Sequence, residues 1–194
     1  MKQAFFVIGP ESSGTRMLTQ AFISAGCYGD GEHQQRMDDL DFHRLPERIV
    51  LRWSVPHDGV WGGADKIITL MQAAEYPVDV FIIARDKGCT ARSQVRVGLA
   101  SDGDDALQRI TKAWKYIEAE VGDMGPSLHL VCYEAFVADA EHRRDIFAAV
   151  GLPEPRMEFY NANAKYFEQP AQSTATESVH LGGGGRAAHS RDTL

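Results

Sequence analysis

The stretch Phe5-Phe-Val-Ile-Gly-Pro-Glu-Ser-Ser-Gly-Thr-Arg-Met-Leu18 decides how this chain is read. The apolar run at residues 4–8 predicts a buried strand. Gly9 and Gly14 bound a short loop made of Pro10, Glu11, Ser12 and Ser13. An amphipathic helix is expected to open at about Gly14, with Met17, Leu18, Ala21, Phe22 and Ala25 on one face and Gly26 as its stop. A strand, a tight loop and a helix N-terminus in series make an anion cradle, because free loop N–H groups and the positive end of the helix dipole converge. The competing reading is a strand–turn–helix corner with ordinary turn residues.

The spacing nearly fits the phosphate loop G-x-x-x-x-G-K-[ST]. It departs at the last two positions, where Thr15 replaces the lysine and Arg16 the magnesium-binding hydroxyl. The loop is therefore expected to hold a phosphate-like group without the usual magnesium arrangement.

A length of 194 residues suits one domain with a substantial core. A net charge of −7 argues against a general nucleic-acid partner, which favours a basic face. Cys27, Cys89 and Cys132 have no metal-ligand spacing, and their odd number predicts reduced thiols. The chain runs straight into its first strand, so no secretory segment is expected. No apolar run approaches the ~20 residues that span a membrane. A cytoplasmic enzyme or binding domain is the expectation.

Further along, three glycines make residues 26–35 a loop, which in an open α/β sheet falls near the carboxyl edge where ligands bind. Glu32 and His33 are acid/base candidates there, against the alternative of a solvated polar loop. Residues 37–44 suggest a short helix, and residues 48–52 a second strand running into a loop with Pro56 and His57. Arg52 and His57 are placed to meet an anion, with a hydrogen-bonded surface histidine as the alternative. Residues 64–74 predict a packing helix and residues 78–84 another buried strand, ending at Arg85. Ser93 follows eight residues on, two turns into the next helix. An arginine and a hydroxyl facing one sheet edge suit a phosphate, and an Arg–carboxylate pair is the other reading.

Leu107, Ile110, Trp114, Ile117 and Val121 step by three and four and read as a core stripe. Residues 128–132 predict a fourth buried strand ending at Tyr133 and Glu134, and Asp139 is expected to cap a helix stopped by Gly151. Residues 161–167 suggest a short strand or lid, and residues 169–194, with glycines at 182–185, a flexible tail after a domain covering residues 1–168. The alternation of strand and helix predicts an α/β three-layer sandwich, with a mainly parallel sheet of four to five strands.

With these pieces placed, residues 4–153 resemble the sulfotransferase family of phosphate-loop folds. Its members move a sulfuryl group from 3′-phosphoadenosine 5′-phosphosulfate (PAPS) to an alcohol or amine, leaving PAP, the 3′,5′-bisphosphate. The loop from Gly9 to Arg16 looks like the family's phosphosulfate cradle. Arg85 with Ser93 has its spacing for gripping the 3′-phosphate. The Tyr133-Glu134 strand end and the Arg52-to-His57 strand and loop also match. The resemblance implies donor contacts from Pro10, Glu11, Ser12, Ser13, Gly14, Thr15, Arg16, Arg85 and Ser93, and no metal. The family's usual Lys or Arg two residues before the second loop glycine is replaced by Ser12, and Arg16 or Arg52 would supply that charge. The base it implies is Glu32, with His57 second; Ser54 stands where the cytosolic enzymes carry a histidine. The implied acceptor is a small molecule or carbohydrate, met by loops around residues 28–38 and 53–63. Two other readings stand beside the transferase: a nucleotide-binding relative without catalysis, and a small-molecule kinase.

Overall fold

The computed structural model of the chain describes residues 2–33, 44–57, 59–122 and 127–167. Four strands, β1 (Gln3–Pro10), β2 (Arg48–Val55), β3 (Val78–Ala84) and β4 (Ser127–Cys132), form one all-parallel sheet in the order β2-β1-β3-β4. The crossovers carry α1 (Thr15–Ser24), α2 (Ala64–Ala73), α3 (Lys87–Arg96) and α4 (Gly103–Val121); α5 (Tyr133–Ala138), α6 (Ala140–Ala149) and the short α7 (Ala164–Phe167) follow β4. Chain order reverses across β1, whose neighbours are β2 and β3. Such a switch point opens a crevice at the carboxyl ends of the strands.

The strands alternate between two cores. Phe6, Ile8, Leu51 and Trp53 face Ile67, Ile68 and Met71 of α2 and Ala113 and Ile117 of α4. Phe5, Val7, Val50, Phe81 and Val131 face Leu18 and Phe22 of α1, Phe136 of α5 and Phe147 of α6. With helices on both faces, β1 is buried at every position from Ala4 to Pro10. This explains why it reads as a continuous apolar run rather than an alternating one. The three-layer α/β architecture expected from the sequence is the one observed, with four strands.

Four local expectations change. β2 continues to Val55, because it stays in register with β1 through the pair Pro10–Val55. β4 is not a buried strand: Leu128 is 49% and Leu130 72% exposed. Among the described residues β4 is the sheet edge and pairs only with β3, and both leucines fall outside the packed clusters. On α4 Ile110, Ile117 and Val121 are buried as expected and Trp114 packs partly buried against the core, but Leu107 is exposed and Ala106 and Ala113 complete the buried stripe, so small alanines let the helix approach closely. Residues 164–167 are helical, not extended. The capping expected of Asp139 is seen, its Oδ1 accepting from the N–H groups of Glu141 and His142. The suggested helix at residues 37–44, except Arg44, and the tail at residues 169–194 lie outside the described residues. Among the described residues no helix is long and apolar enough to cross a membrane.

Candidate functional site

The turn after β1 is shaped by its backbone. Ser12 takes a left-handed conformation (φ 67°), and the Ser13 N–H closes the turn on the Pro10 carbonyl at 3.0 Å. Gly9 is required by space: a Cβ there would meet Ser13 Oγ at 2.5 Å and the Ile83 carbonyl at 2.8 Å. Gly14 (φ 106°) precedes α1, and no side chain caps the helix and no acidic residue stands in its first turn. The first intrahelical bond runs from the Leu18 N–H to the Gly14 carbonyl. The N–H groups of Thr15, Arg16 and Met17 therefore have no acceptor within the helix. A helix start with an open first turn and no anionic side chain is an anion site in waiting.

This turn floors a cleft of about 480 Å³ at the carboxyl edge of the sheet. At the β3 end the cleft is lined by Arg85, Ser93 and Tyr133, and at the β2 end by Arg16, Gln20, Arg52 and Ser54. Met157, Phe159 and Tyr160 from the chain after α6 add an apolar and aromatic wall.

Arg85 is held from several sides. Its Nη1 donates to the Ser12 carbonyl at 2.8 Å and its Nε to Asn163 Oδ1 at 2.6 Å. The guanidinium lies over the Tyr133 ring, 4.8 Å from its centroid. Asn163 is itself fixed, its Nδ2 donating to Glu134 Oε1 at 2.6 Å; the same oxygen accepts the Asp86 N–H. Nη2 is buried and has no partner among the described residues. A guanidinium pinned on two donors with a third left over is prepared for an acceptor from the cleft. The Tyr133 hydroxyl accepts the Ala162 N–H, and burial pushes its pKa up.

The β2 end is organised around Thr15, whose Oγ1 lies 2.9 Å from Ser54 Oγ. Arg52, only 5% exposed, donates from Nη1 to the Gly31 carbonyl at 3.4 Å and from Nη2 to the Glu32 carbonyl at 3.3 Å. Arg16 Nη2 donates to the same Glu32 carbonyl at 3.2 Å. Burial, and then repulsion from Arg16, lower the Arg52 pKa. The Glu32 carboxylate sits at the rim, accepting from Gln20 Nε2 at 3.0 Å and standing 3.9 Å from Arg16 Nη1.

Of the residues singled out in the sequence, Glu11, Ser12, Gly14, Thr15, Arg16, Arg85 and Ser93 come together on this cleft. Glu32 adjoins it through Arg16 and Gln20. Pro10 and Ser13 are buried beneath the turn and do not line it. Glu11 lines the cleft, but its carboxylate is turned to Arg109 at 3.0 Å, and Gln94 Nε2 grips its carbonyl at 2.8 Å. Burial raises the Glu11 pKa, and Arg109 opposes that rise. His57 does not reach the cleft: it is buried and stacked on Trp53, with ring centroids 3.6 Å apart. Trp53 faces the α2/α4 core, whereas Arg52 and Ser54 point to the other side of β2, as strand alternation requires.

Sequence reasoning missed Asn163, Gln94, Arg109 and Gln20, and gave no site role to Tyr133 or the wall at residues 157–162. These act through long-range side-chain contacts that leave no periodicity; the Tyr133-Glu134 pair at a strand end was the one available signal. Among the described residues no group of three or more His, Cys, Asp or Glu side chains is placed to hold a metal ion. No family model matches the chain, and no curated protein matches it.

Proposed function

We propose that the chain is a PAPS-dependent sulfotransferase acting on a hydroxyl or amine of a small-molecule or carbohydrate acceptor. One observation carries this reading: Arg85 and Ser93, far apart in sequence from the Ser12–Arg16 turn, line the same cleft with it. The residues fit the donor. The open first turn of α1 suits one phosphate-like group, the unpartnered Arg85 Nη2 with the Ser93 hydroxyl suits a second, and about 480 Å³ is in the range of small-molecule sites. Bound PAPS would supply a sulfuryl group on a good phosphate leaving group.

The chain's own part is positioning and charge. The first-turn N–H groups and the Thr15 hydroxyl hold negative charge at the start of α1, and Arg16 adds a cation there. Arg85 and Ser93 fix the far end of the nucleotide. Glu32 takes the proton of the attacking acceptor, helped in orientation by Gln20. His57 is the second choice of base, and reaching the cleft would require it to leave Trp53.

A nucleotide-binding relative without catalysis is favoured by a specific feature, since Ser12 carries no charge and Arg16 is turned toward Glu32 rather than the turn. A magnesium-dependent kinase is disfavoured by Thr15 and Arg16 at the Lys and Ser/Thr positions. Calorimetry and thermal shift with PAP, ATP and ATP–magnesium test the family. Stabilisation by PAP is expected, and stronger stabilisation by ATP–magnesium would overturn the proposal. Labelled PAPS with an acceptor panel then separates enzyme from binding relative: Arg16→Ala is expected to abolish transfer while leaving much of the PAP affinity.

A further inference from the structure

Arg52 is unusual among the cations of the cleft. It is buried on β2, yet its only hydrogen-bond acceptors among the described residues are two main-chain carbonyls at 3.3 and 3.4 Å. Its Nε is buried with no acceptor among the described residues. The carboxylates that act on it are committed elsewhere. Asp30 accepts the N–H groups of Glu32 and His33 as well as the His33 ring, and Glu32 accepts from Gln20. A second cation also stands beside it. Arg16 and Arg52 both donate to the single carbonyl oxygen of Glu32, so two guanidinium groups converge there; the Glu32 carboxylate stands 3.9 Å from Arg16, and among the described residues no carboxylate makes a hydrogen bond or ion pair with Arg52. Desolvating one guanidinium beside another is unfavourable unless an anion completes the arrangement.

We infer that Arg52 and Arg16, with Ser54 and Gln20, form a second oxyanion subsite at the β2 end of the cleft, and that it takes a negatively charged group carried by the acceptor itself. The inference rests on the sulfotransferase reading for the word acceptor. The subsite is separated from Arg85 and Ser93 by the start of α1, so it does not duplicate the 3′-phosphate grip. It lies against the Gly31–Glu32 loop, beside the carboxylate proposed as base. An acceptor anchored there by its anion would present a neighbouring hydroxyl to Glu32. The Arg pair suits a carboxylate or a phosphate or sulfate ester equally, since planar guanidinium groups meet all of them through paired hydrogen bonds.

Arginine Nε–Hε resonances read the subsite directly. PAP binding is measured first by calorimetry, and the protein, with and without saturating PAP, is then titrated with inorganic phosphate, with acetate, and with chloride at matched ionic strength. The expected result is a saturable shift of the Arg52 Nε–Hε signal with phosphate or acetate but not chloride, persisting when PAP is bound. Which of the two anions binds more tightly distinguishes an ester-bearing from a carboxylate-bearing acceptor. Arg16→Gln, at an exposed position, is expected to weaken the anion by about tenfold, the scale of one charge-assisted contact. PAP failing to bind would sink the donor assignment while leaving the anion titration to decide the subsite. Absence of a saturable shift, or its abolition by PAP, would overturn the subsite; in the latter case Arg52 belongs to the donor.

Discussion

Arg85 Nη1 donates to the main-chain carbonyl of Ser12 at 2.8 Å, so the end of β3 and the turn after β1 share one guanidinium. The bond ties the arginine proposed to grip the donor to the backbone that shapes the turn.

Losing that side chain is expected to act twice. Arg85→Ala should lower PAP affinity about 10- to 100-fold, from one lost charge-assisted bond of about 1.5–3 kcal/mol. It should also lower the melting temperature through the freed Ser12 carbonyl. Asn163→Ala should lower PAP affinity less, because it removes the support of Nε and leaves the charge. Calorimetry on both variants checks this; equal losses would mean that Arg85 is a strut and not a ligand contact.

Gly14 holds φ at 106°, and a Cβ there would stand 2.7 Å from the Tyr133 ring. Gly14→Ala is expected to cost about 1–3 kcal/mol from strain and overpacking. Urea unfolding measures it, and PAP binding should fall in parallel because the Tyr133 ring lies under Arg85. A neutral substitution would mean that the turn relaxes freely.

The Phe22 ring centroid lies 4.8 Å from those of Phe5, Phe81 and Phe147, stacked on the first, edge-on to the second and tilted to the third, and so joins α1, the sheet and α6. Phe22→Ala is expected to cost about 3–5 kcal/mol, a large share of a domain's stability. Phe22→Leu, which keeps most of the volume, should cost much less. Denaturant midpoints for the two variants decide it.

The pH dependence at Glu11 has a definite sign. Burial holds its folded pKa above the usual 4.5, although Arg109 works against this. The folded state therefore keeps its proton longer than the unfolded chain does. Stability linked to this group is full below 4.5 and declines as pH rises through the raised folded value. Compared with Glu11→Gln, wild type should lose stability across that interval and run parallel above it. A wild-type curve that gains on the variant there would show that the Arg109 pair dominates.

Cysteine reactivity should divide sharply. Cys27 is 5% exposed and its thiol is pushed up to about 12 by burial, and Cys89 is fully buried with its pKa also raised. Cys132 is exposed at the end of β4. Alkylation of native protein at neutral pH, read by mass spectrometry, should label Cys132 alone. Modification of Cys27 at a comparable rate would show that the α1 end opens readily.

By itself the sequence determined the layered α/β plan, the open helix start after Gly14 and the placement of Arg85 and Ser93 at one sheet edge, because these rest on local signals: apolar runs, glycine positions and helical spacing. Only the tertiary structure decided what depends on neighbours. An apolar run reads alike at the centre and the edge of a sheet, so the exposure of Leu128 and Leu130 follows from strand order alone. Strand alternation, combined with the β1–β2 register, sends Arg52 and Ser54 into the cleft and Trp53 to the opposite face, where His57 stacks on it. The contacts of Arg85 with Asn163, and of Arg52 and Arg16 with one Glu32 carbonyl, join residues with no fixed spacing. Side-chain type predicted cations at this edge; the partners that hold them, and the donors left without one, exist only once the chain has folded.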